Sequence, residues 1–132
     1  MTHVAIDSPD GTKSVLMVYD GESRFGPAFF HATASGFLWP SKLTSATIGE
    51  DVHWSPDSRY IVVLVFHSRD SSKPPNVELV AIETLTGGLY SIDSNSRGLI
   101  RQNGFTVSGK YEYQWVGSEG ATAKSWIAPK LG

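Results

Sequence analysis

Four histidines, His3, His31, His53 and His67, are the natural general bases and metal ligands of this chain. None stands in an H-x-H or H-E-x-x-H spacing, the patterns that bring two imidazoles to one metal. His53 and His67 bracket the most apolar stretch, where strand pairing would bring them toward each other. Asp51 or Asp70 would then have to complete a metal site. We read them instead as solvated strand-end side chains and expect no metal. No G-x-S-x-G elbow, Walker loop, dinucleotide-binding glycine pattern or EF-hand loop occurs. Gly117-Ser118-Glu119-Gly120 lacks the lysine and the helix start that hold a phosphate, and reads as a hairpin turn. Glu50 and Asp51 are neighbours, so on a strand they face opposite ways and cannot form a glycosidase pair. Asp10 and Asp57 sit in turn sequences, where a carboxylate caps backbone N–H groups. The absence of cysteine excludes disulfides, thiolate nucleophiles and cysteine-bound zinc. We expect no catalysis and no cofactor.

The 132 residues suit one domain, 1–132, and 40% apolar with 18% charged content suits a folded one. A net charge of −2 leaves no basic excess for nucleic acid. The opening MTHVAIDSPDG lacks a basic-then-apolar leader. The longest apolar run, Tyr60 to Phe66, is far short of the roughly 20 residues of a spanning helix. A soluble cytoplasmic protein with no membrane contact is expected.

The elements that must position any site read as strands. Arg59 to His67 is dense in β-branched and aromatic residues and has turn chemistry at both ends, which predicts a strand buried on both faces. Asn76 to Thr84 is the next strand. The intervening loop is too short for a crossover helix, so the two pair antiparallel. Further strands are expected at Ser14 to Tyr19, Pro27 to His31, Gly36 to Trp39, Leu89 to Asp93, Gly104 to Ser108, Tyr111 to Trp115 and Lys124 to Ile127. Ala32-Thr33-Ala34-Ser35 reads as a turn. No stretch has helical periodicity with caps.

A turn sequence recurs. Ser8-Pro9-Asp10-Gly11 precedes one strand and Ser55-Pro56-Asp57-Ser58 another, 47 residues later. A degraded third copy runs from Val107 to Tyr111, with Tyr111 standing 51 residues after Tyr60. Proline fixes φ, and the Ser and Asp side chains bond nearby N–H groups. The segment from Trp54 to Val63 resembles the W-S-P-D-G-x-x-I blade motif of WD40-like and TolB-type β-propellers. Leu79 to Tyr90 is similar to the hairpin that follows it there. The resemblance implies blade-like units, and two or three cannot close a ring in one chain.

The fold class expected is all-β, with antiparallel hairpins in one sandwich-like or open-sheet domain. Tyr111, Tyr113 and Trp115 fall on one face of their strand, either as core or as a recognition ladder. Asp7, Asp10, Asp20 and Glu22, with Glu50, Asp51 and Asp57, suggest an acidic edge. The function this composition suits is non-catalytic protein binding. By general type, not by motif, it resembles a bacterial immunity protein that caps a basic toxin or enzyme domain. Trp39, Asp51, His53 and Arg69 are the expected partner contacts. The alternative is a carbohydrate-binding module or a propeller-like lectin built from several chains, so oligomerisation stays open.

Overall fold

The computed structural model describes residues 3–22, 28–69, 73 and 75–129. Its strands are β1 (His3–Asp7), β2 (Ser14–Glu22), β3 (Ala28–Ser35), β4 (Thr47–Ile48), β5 (His53–Trp54), β6 (Tyr60–Phe66), β7 (Val77–Glu83), β8 (Gly88–Asn95), β9 (Leu99–Phe105), β10 (Lys110–Gly117) and β11 (Gly120–Ile127). They form two open antiparallel sheets, so the all-β, open-sheet expectation holds. The larger runs β1-β2-β3-β4-β6-β7-β8, with β5 also paired to β6. The smaller runs β11-β10-β9. The short strands β4 and β5 pair with opposite ends of β6, Val65–Phe66 and Ile61–Val62 respectively.

β6 explains the architecture. Every residue from Tyr60 to Phe66 is buried, and alternate side chains enter different cores. Ile61, Val63 and Val65 join Val15, Met17, Phe30, Ile48, Val80 and Ile82 on one face of the large sheet. Phe37, Trp39 and Leu43, from the segment between β3 and β4, pack on that core. Tyr60, Val62, Leu64 and Phe66 join Leu79, Ile100, Tyr111 and Tyr113 in the second core, which lies between the sheets. A Val/Ile run buried on both faces is thus the shared floor of both cores. The predicted pairing of β6 with β7 holds at every residue of the two strands.

Three predictions are corrected. Ala32 to Ser35 is not a turn: it continues β3, paired residue by residue with Ser14 to Met17, because Ala32 is needed in the first core. Gly36 to Trp39 is not a strand. Gly36 takes φ +85° and turns the chain away, and the aromatic rings pack on the core from irregular backbone. Gly104 to Ser108 straddles the end of β9 and the turn after it. Pro27, at the start of one predicted strand, and Asp70 lie outside the described residues.

The turn repeat is real at the level of hydrogen bonds. Ser8 N–H donates to Lys13 O, and Ser55 N–H to Tyr60 O, each at 2.8 Å. In return Ser8 Oγ accepts from Lys13 N at 3.1 Å and Ser55 Oγ from Tyr60 N at 2.9 Å. The third copy repeats the exchange one residue shorter, between Thr106 and Lys110. Asp10 and Asp57 accept the Thr12 and Arg59 N–H groups, as expected of caps.

Candidate functional site

Four turns gather at one end of the molecule. Asp10 N–H donates to Ser58 Oγ at 2.9 Å, which joins the first turn to the second. Thr84 N–H donates to Arg59 O, which joins the β7–β8 turn to the second. The second and third turns face each other across a groove of about 320 Å³, lined by residues including Pro56, Arg59, Phe105, Val107, Ile127 and Pro129. Tyr60 Oη donates to Pro129 O below it.

One ion pair stiffens this end. Glu83 is fully buried at the close of β7, and Arg59 Nε approaches its carboxylate at 3.3 Å. Burial pushes the Glu83 carboxyl up, but Thr86 Oγ1–H, the Leu85 and Thr86 N–H groups and Arg59 outweigh it, and the net direction is down. Arg59 Nη2 is buried without a hydrogen-bond partner. Asp10 is held far below the usual carboxylate range, first by the Ser8 hydroxyl and then by Thr12.

Apolar side chains stand in water around this end. Val107 is 99% exposed, Ile127 72% and Leu85 69%. Val107 and Leu85 occupy turns, and Ile127 ends β11 opposite Lys110. Sequence reasoning missed all three. For Leu85 and Val107 the signal was an aliphatic residue inside turn chemistry, as in Thr84-Leu85-Thr86-Gly87 and Thr106-Val107-Ser108-Gly109.

The four predicted partner contacts do not converge on this end. Trp39 donates its indole N–H to Leu43 O at 3.1 Å and packs on the first core, so it braces the segment that covers that face. Arg69 clamps Asp20 at 2.9 Å at the opposite end of β2 and lies over the Phe29 ring. His31 meets the same carboxylate at 2.7 Å. Arg69 also lines a groove of about 800 Å³ with Lys42, His67, Glu78 and Ser91. Glu78 is held below its ordinary value, first by the Ser91 hydroxyl and then by His67, which it meets at 3.0 Å. Asp51 is exposed beside a hollow that also holds Arg101 and Gln102.

His53 is not the solvated strand-end residue expected. Its Nδ1 lies 2.8 Å from Tyr111 Oη, between the sheets. Gln102 Nε2 already donates to that phenol at 3.0 Å. The phenolic proton therefore goes to Nδ1, and the imidazole is neutral with its proton on Nε2. Burial pushes His53 down and Tyr111 up, which favours this arrangement; the Asp51 carboxylate pulls His53 the other way. His53 and His67 do not meet. No group of three or more His, Asp or Glu residues able to hold a metal occurs among the described residues.

Tyr111 and Tyr113 are core, with Tyr113 donating to Asp93 Oδ2 at 2.9 Å, so the aromatic ladder faces inward. Burial and Asp93 push the Tyr113 phenol up to about 12. Trp54 and Trp115 give their indole N–H groups to Ile6 O and Ser94 O. The acidic residues do not form one edge: Asp10 and Asp57 stand at the turn end and Asp20 at the other. No family model, curated protein or solved structure matches this chain. No helix among the described residues is long and apolar enough to cross a membrane.

Proposed function

We propose that this chain is a non-catalytic cytoplasmic protein-binding module that caps a cognate toxin or enzyme, and that it docks through its turn end. One observation carries this reading. Val107 and Ile127 line an open groove and Leu85 stands exposed on the adjoining β7–β8 turn, at an end stiffened from within by the Arg59–Glu83 pair and the Asp10–Ser58 bond. Apolar anchors on a rigid base lose little conformational entropy on docking, and desolvating them is the main favourable term of an interface. The exposed Asp10 and Asp57 carboxylates on the same rim suit a partner with a basic margin, and they act on encounter rate and orientation. Trp39, Asp51, His53 and Arg69 are then structural or peripheral residues.

The test is capture followed by an activity measurement. Wild-type chain is expected to retain one protein from the native host and to lower that protein's activity. A Leu85→Asp, Val107→Asp, Ile127→Asp variant, altered only where side chains already meet water, is expected to do neither. Retention unaffected by the triple change, or turnover of a small molecule by the purified chain, would overturn the reading.

A further inference from the structure

The three turn-bearing units are not equally complete. In the first, β1 and β2 flank the turn, β3 pairs with β2, and β4 lies against the outer edge of β3. In the second, β5 and β6 flank the turn, β7 follows, and β8 lies against the outer edge of β7. In the third, β9 and β10 flank the turn and β11 follows, but β11 is the last strand of its sheet. Among the described residues, two of the three units place a strand where the third has none.

The remaining edges are blunted in ways that β11 is not. β8 and β9 each show a register shift against their neighbour, and β1 has only five residues. Bulges and shortness are how sheet proteins discourage edge pairing. β11 has eight residues, pairs with β10 at all eight without a shift, contains no proline and carries one charge, Lys124. That charge is already engaged by Asp93 at 3.3 Å and lies over the Trp115 ring.

We infer that a second copy of this chain pairs with the free edge of β11, strand against identical strand, to form a two-fold dimer with a continuous six-stranded sheet. The register follows from the hairpin. Gly117 and Gly120 face each other across the two-residue turn Ser118-Glu119. The pair closing such a turn is hydrogen-bonded, and inward and outward residues then alternate. Ala121, Ala123, Ser125 and Ile127 therefore turn their N–H and C=O groups outward. A two-fold axis through such an edge sets outward residues opposite outward residues. Placed at Ala123, it sets Ala121 opposite the partner's Ser125 and gives about six hydrogen bonds between chains. Small side chains then occupy the hydrogen-bonded pairs, and Lys124 stands opposite the partner's Thr122. An axis at Lys124 would set two ammonium groups directly opposite each other in a non-hydrogen-bonded pair, which like-charge repulsion disfavours, so the register centred on Ala123 is preferred. A single strand pair buries less than the usual 1,200–2,000 Å² or so of a stable interface, so the dimer is weak and concentration-dependent.

Sedimentation equilibrium from low to high micromolar protein tests this directly. The mass is expected to rise from one chain toward two. Ala123→Pro removes an outward donor without touching the β10 ladder, and Ala123→Lys sets like charges across the axis; each is expected to remain a single chain. Ala123→Lys substitutes an exposed position, so it keeps the test sharp should the proline variant fold poorly. Mixing Ala123→Lys with Ala123→Glu is expected to restore a mixed dimer. A wild-type mass of one chain at the highest concentration overturns the inference. So does a dimer that persists in both Ala123→Pro and Ala123→Lys.

Discussion

His53 shows how far a residue's role depends on what crosses over it. Its sequence neighbours, Val52 and Trp54, say only that it flanks a strand. Its chemistry comes from Tyr111, 58 positions away on the other sheet. Because the folded state favours the neutral ring, the unfolded chain binds a proton more readily, and folding stability rises with pH across the window where His53 titrates. Stability should therefore be complete above the unfolded histidine value of about 6.5 and fall as pH drops below it. Urea unfolding of wild type and His53→Gln at pH 7.5 and 5.5 measures this. The glutamine can accept the Tyr111 proton but does not titrate, so wild type should lose more stability between the two conditions. Equal losses would show that the inter-sheet bond is insensitive to the ring's charge. Asp10 and Asp57 were legible as turn caps because their partners lie within two residues. The contacts of Trp39 with Leu43 and of Arg69 with Asp20 were not legible, because neither partner adjoins its residue in sequence.

At the scale of the element, the third position after each turn serine or threonine takes positive φ: Gly11 at 73°, Ser58 at 63° and Gly109 at 89°. Serine is strained there, where glycine is free. Its reason is the bond from Asp10 N–H, which ties two turns together. Ser58→Ala keeps the strain and loses the bond, and is expected to cost about 1–2 kcal/mol. Ser58→Gly loses the same bond but relieves about 1 kcal/mol of strain, so it should be the milder change. Urea midpoints that reverse this order would show that the bond contributes little. The sequence pattern disclosed β6 and β7 because their burial on both faces leaves an unbroken apolar run. It hid β1 and most of β9, whose alternation is diluted by polar residues and by Gly104. The Ala32–Ser35 stretch was hidden for another reason. Small residues resemble a turn when their partner strand is unknown, and the register with β2 is a long-range fact.

For the molecule as a whole, the decisive feature is that β6, like β7 beside it, serves two cores. Ile61 faces the first and Val62 the second, and both are fully buried. Loss of either core exposes half of β6 and so withdraws support from the other, which predicts a single cooperative unit, not two separable sheets. The tryptophans allow a direct test. Trp39 and Trp54 report on the large sheet, Trp115 and Trp126 on the small one. Variants that keep only one pair, with phenylalanine replacing the other, should unfold at the same urea concentration as the far-ultraviolet circular dichroism. Ile61→Ala in the first core and Leu79→Ala in the second should each cost about 2–5 kcal/mol and move both reporters together. A small sheet that melts before the large one, or a core substitution felt by one pair alone, would divide the chain into two folding units. The turn end would then no longer be rigid. Its second and third turns, one on each sheet, would move independently, and the groove between Arg59 and Val107 would hold its shape only when occupied.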